Sequence, residues 1–98
     1  MTTATLTVWD GNTDIVYLYH PHSGFPAWLG SALKKLLPYY SRVDNPTDLA
    51  VCLIQQPIFS FEPATQEYPA DYFYKFNTKT HKLTVTDCTG KRCAIPRI

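Results

Sequence analysis

At 98 residues the chain has room for one domain, large enough to bury roughly 60–70% of its unfolded surface around a single core. Hydrophobic residues at 45% and charged residues at 17% exclude a disordered segment, and the aromatic share of 14% is high. Nine Lys and Arg against eight Asp and Glu leave a net charge of +1, which excludes both a strongly basic, phosphate-tracking surface and an acidic mimic of DNA.

The first run, Thr3 to Trp9, alternates threonine with apolar residues, so Ala4, Leu6 and Val8 share one face of a half-buried strand. Asp10 to Asp14 is rich in residues that turn the chain, and Ile15 to His20 returns it as a second strand. That run has no polar face, so the strand is expected to be central or covered on both sides. Pro21 ends it, because proline donates no ladder hydrogen bond.

A helix is expected from Pro26, whose fixed φ suits a first helical position. Leu29, Ala32, Leu33, Leu36 and Leu37 then recur at helical spacing, and Pro38 is expected to end the helix after about 18 Å. Asn45-Pro46-Thr47-Asp48 carries a second start signal, with cap, proline and first-turn acid in order. Periodicity alone does not separate helix from strand in Leu49 to Gln56; the start signal selects helix. Pro57, Pro63 and Pro69 then leave Ile58 to Phe61 as an apolar patch in a loop. Asp71 to Asn77 and Lys82 to Asp87 flank a turn at Thr78 to His81, and Arg92 to Ile95 can pair back across Thr89-Gly90.

The expected fold is therefore a single α+β domain. It has an antiparallel sheet of four to five strands, in the order β-β-α-α-β-β, with two helices on one face. Surplus aromatics are assigned to the core first and to a sticky face second. Lys75, Lys79, Lys82, Lys91, Arg92 and Arg97 are read as a solvated sheet face with edge lysines. Met1 to Asp10 lacks the charged start and unbroken apolar run of a secretory signal, and no window approaches the eighteen or so apolar residues of a membrane span. The expected location is the cytoplasm, where three cysteines stay reduced.

Candidate chemistry gathers between the second strand and the first helix. His20, His22, Ser23, Gly24, Phe25 and Trp28 crowd a strand stop and a helix start, where side chains can present hydrogen bonds and stacking to a partner or to an anion. Ser23 beside two histidines lacks an orienting carboxylate and a nucleophile-elbow motif, so catalysis is not expected. His20, His22, Cys88 and Cys93 number four zinc-type ligands, but the histidines are spaced too closely for a usual pair. A Cys88–Cys93 disulfide is conceivable across a hairpin and disfavoured in a reducing compartment. No cofactor is implied.

The stretch Tyr19-His20-Pro21-His22-Ser23-Gly24-Phe25-Pro26, followed by Leu29-Gly30, resembles a His-x-Asp-Gly-Tyr-Pro pattern of small bacterial and bacteriophage proteins that precedes a leucine-rich helix. Ser23 stands where that pattern has its acid. The resemblance implies phage or mobile-element ancestry and no particular activity. Together these features point to a non-enzymatic protein that binds a host protein, for example to inhibit a host defence system, and that pairs as a homodimer. The alternatives are a small-ligand or nucleotide binder using the His20 to Trp28 turn, and a structural zinc domain.

Overall fold

The alternation of the first run organises a computed structural model that describes residues 2–95. β1 (Ala4–Trp9) and β2 (Ile15–His20) form the expected hairpin, with Leu6 opposite Leu18 and Ala4 opposite His20. β4 (Tyr72–Asn77) and β5 (Lys82–Asp87) form a second, and β6 (Arg92–Cys93) pairs back onto β5 as expected from the Thr89-Gly90 turn. Register puts Val16, Leu18 and His20, then Ala4, Leu6 and Val8, then Tyr72, Tyr74 and Phe76, then Leu83 and Val85 on one continuous face. That face holds the core.

The sheet differs from the expected one in number and direction. It has six strands in the order β3-β2-β1-β4-β5-β6, and β4 lies parallel to β1, so the sheet is mixed. The added strand, β3 (Glu62–Ala64), was hidden by Pro63; it pairs only with β2 and lies at an edge, where a missing amide hydrogen is tolerated. Residues 65–71 must then carry the chain across β2 and β1, about 14 Å at ordinary strand spacing, to reach β4. They cross the face opposite the core. The Tyr68 ring meets Tyr19 edge-on at 6.4 Å, the Thr7 hydroxyl donates to Glu67 at 3.3 Å, and Asp71 accepts from the Thr3 amide at 2.9 Å. This segment explains why Thr5 and Thr7, expected on an open face, are buried.

The helical layer packs on the core face. The first helical stretch winds in three forms: a π turn at Pro26–Gly30, α1 (Ser31–Leu36) and a 3-10 turn at Leu37–Tyr40. Pro38 cannot donate the next ladder bond, so the α form ends at Leu36 as expected, while winding continues as the 3-10 turn to Tyr40. Leu29, Leu33 and Leu37 stay in the core through all three. α2 (Pro46–Ile54) is the expected second helix and lies over β1 and β2. Leu49, Ala50 and Leu53 face inward, and Phe59 and Phe61, expected in a loop, close that end of the core.

The Asn45 side chain accepts from the Thr47 amide at 2.9 Å and from the Asp48 amide at 3.3 Å, satisfying two donors that the first turn leaves unpaired. Asn45→Ala is expected to cost about 1 kcal/mol of unfolding free energy, read by urea titration with an unchanged slope.

Candidate functional site

After Pro21 the chain must reverse from β2 into the π turn, and Ser23 adopts a left-handed φ of 56° to do so. Gly24 then runs hard against the start of β1. A Cβ there would sit 2.7 Å from the Ala4 Cβ and 2.9 Å from the Thr3 carbonyl carbon, so only glycine fits. Its amide donates to the Thr2 carbonyl at 2.9 Å, and its carbonyl accepts from the Tyr74 hydroxyl at 2.8 Å. Burial pushes the Tyr74 phenol well above its ordinary value and keeps it a donor.

His20 belongs to the same construction. It is 1% exposed, ringed by Phe61 at 5.0 Å, His22 at 5.5 Å and Trp28 at 6.0 Å. The Ser60 amide donates to Nε2 at 3.1 Å, so that nitrogen carries no hydrogen; Nδ1 carries it and donates to the His22 carbonyl. Both nitrogens are thus committed to backbone groups. Burial holds the imidazole pKa below its ordinary 6.5.

Of the six residues expected to face a partner or anion, the fold therefore takes two inward and leaves four at or near the surface. His20 and Gly24 are buried, Ser23, half-exposed, bends the turn, and Trp28, half-buried, packs on the core. His22 and Phe25 are exposed, Phe25 by 42%. The sequence crowded these residues together because proline and glycine punctuate a tight reversal. The His20 nitrogens and the Gly24 amide are engaged with backbone groups and are not available to an anion.

The zinc-type set is not brought together. Strand order separates His20 on β2 from β5, which ends just before Cys88, by about 14 Å, and from Cys93 on β6 by more. Among the described residues no three His, Cys, Asp or Glu side chains converge as metal ligands. Cys88 and Cys93 are free thiols, not a disulfide. Cys88 sits in a turn fixed by Asp87, whose carboxylate accepts from the Thr89 hydroxyl at 2.6 Å and the Lys91 amide at 3.0 Å. The Thr89 hydroxyl is the chief reason that this carboxyl is held below its ordinary value.

Other aromatics gather on the opposite face of the sheet, beyond the crossing segment. Tyr17, Thr7, Lys75 and Thr84 form one row across β2, β1, β4 and β5, and Ile15, Trp9 and Asn77 form the next. Lys75 is exposed and its ammonium lies 4.2 Å from the centre of the Trp9 ring. Tyr17, Trp9 and Phe73 are partly exposed, and Ile15 is 43% exposed. Of the expected basic face, Lys75, Lys82 and Arg92 point this way; Lys79 and Lys91 lie in turns, and Arg97 lies outside the described residues. The usable signal was the alternation of Phe73, Lys75 and Asn77 within an aromatic strand.

Comparison of the chain with protein-family models, curated proteins and solved structures gives no match.

Gly24→Ala is expected to destabilise by about 1–3 kcal/mol through overpacking, with a melting temperature lower by about 4–8 °C for each kcal/mol. The His20 pKa fixes the sign of a pH effect. Because the folded value lies below 6.5, the unfolded chain takes up a proton that the folded chain refuses; stability is full above pH 6.5 and declines as pH falls below it. Melting curves between pH 7.5 and 5.5 should show this decline in the wild type. His20→Gln should melt lower at pH 7.5 and show a shallower decline.

Proposed function

We propose that this protein is a non-catalytic binding module that engages an acidic surface of a host protein through the open part of its outer sheet face. The carrying observation is the group of Trp9, Tyr17 and Phe73 beside Lys75 on one rigid sheet. Partly exposed Trp and Tyr next to a cation supply large contact area at low entropic cost, the composition of interface hot spots. Lys75 and Arg92 give the face its positive sign, so an acidic partner is the complementary one. The resemblance of the Tyr19 to Pro26 stretch supports a phage or prophage setting, in which inhibition of a host defence component is a concrete form of such binding.

Within the described residues no helix is long and apolar enough to cross a membrane, which accords with a partner that is a protein. The expected homodimer would draw on this same face. Pro63 interrupts edge strand β3, and β6 spans only two residues, so both sheet edges are poor templates for strand addition.

Immobilised wild type in host lysate should retain a stoichiometric acidic protein. Trp9→Ala should weaken its capture more than tenfold, as for a hot-spot residue, and Lys75→Glu should weaken it in a salt-dependent way. His22→Ala should leave it unchanged. Capture of no stoichiometric partner, or of one indifferent to Trp9→Ala and Lys75→Glu, would overturn the proposal.

A further inference from the structure

On the core side, the β4–β5 hairpin projects past the helical layer and leaves a groove of about 530 Å³ between itself and the stretch from Lys34 to Ser41. Its walls are apolar. Leu37 and Pro38 line it from the helical side, Phe76 and Leu83 from the sheet, and Ile95 from the segment after β6. The volume lies within the range of roughly 300–1,000 Å³ typical of small-molecule sites.

The polar groups at this groove are one-sided in charge. Lys34 borders it from α1 and His81 from the hairpin; Lys82 also lines it, although its pairing with Asn77 sets it in the row of Trp9, and among the described residues no acidic residue lines it. His81 is held there by its turn. The Asn77 side chain accepts from the Lys79 amide at 2.8 Å and the Thr80 amide at 3.1 Å, and the Asn77 carbonyl accepts from the His81 amide at 2.8 Å. His81 accordingly takes a left-handed φ of 58°, and its ring lies parallel to Phe76, within 3°, at 6.3 Å. The imidazole thus extends the apolar wall toward the cationic rim.

An apolar trough bordered by the Lys34 ammonium and an imidazole, with no acidic side chain among its described lining residues, is complementary to a ligand with a hydrocarbon body and one negative head. We infer that this groove binds a medium-chain carboxylate, with the chain against Leu37, Phe76, Leu83 and Ile95 and the head group between Lys34 and His81. This site lies on the opposite side of the sheet from Trp9 and Lys75 and does not depend on a protein partner.

Calorimetric titration of the purified chain with hexanoate, octanoate, decanoate and decylamine tests it. Each methylene buried in the trough should tighten binding about fourfold, so decanoate should bind about fifteenfold more tightly than octanoate. Decylamine, with the opposite head charge, should not bind. Lys34→Glu and His81→Glu change exposed residues and leave the core intact; each should weaken decanoate about threefold or more. Methyl resonances of Leu83 and Ile95 should shift on titration, placing the ligand in the groove. Failure of decanoate to bind, equal binding of decylamine, or affinities unchanged in both the Lys34→Glu and the His81→Glu variants would overturn the inference.

Discussion

A neutral imidazole between two backbone groups is the contact on which the arrangement depends. His20 ends β2 on the core face, where a charged ring would be costly, and its two nitrogens meet the His22 carbonyl and the Ser60 amide. The first contact fixes the reversal that brings Gly24 against β1. The second fixes the segment leading into β3, forty residues further along. Because β3 is held beside β2, the chain must recross the sheet before β4 can form, and β4 is thereby delivered parallel to β1.

That crossing decides which surface remains for function. Residues 65–71 cover the Thr5 and Thr7 side of the outer face and leave the region around Trp9 and Lys75 accessible. On the core side, the helical layer stops short of the hairpin tip and leaves the trough lined by Leu37 and Leu83. Both surfaces arise from mismatches in coverage between layers, and neither contains the histidine turn. Gly24, Tyr74 and His20 close the inner side of the turn, while His22 and Phe25 stay exposed on its outside.

Much of the fold was legible in the sequence. Period-two alternation located β1, an unbroken aromatic run located β2, two strand-like runs about the Thr78–His81 turn located β4 and β5, and Asn45-Pro46 located α2. Alternation says which residues share a face and nothing about which strands are neighbours, so the parallel β1–β4 pair was not readable. Pro63 concealed β3, since edge pairing is decided by position in the sheet and not by propensity. Pro26 marked the start of helical winding and Pro38 the end of its α form, but the π start and the 3-10 continuation to Tyr40 were not readable. In the candidate site, crowding of His20, Ser23 and Gly24 was legible while its meaning was not. A histidine with both nitrogens engaged and one with both free have the same neighbours in sequence.

Fold and turn thus both depend on the state of His20. Long-range ¹H–¹⁵N spectra of the imidazole, taken from pH 7.5 to 5.5 together with exchange of the Ser60 amide, test it most directly. The structure predicts a hydrogen on Nδ1 and none on Nε2, an imidazole that stays neutral below the ordinary 6.5, and a Ser60 amide protected from exchange. A His20 that titrates at the ordinary value, with a rapidly exchanging Ser60 amide, would contradict it and return the turn to the surface as a site.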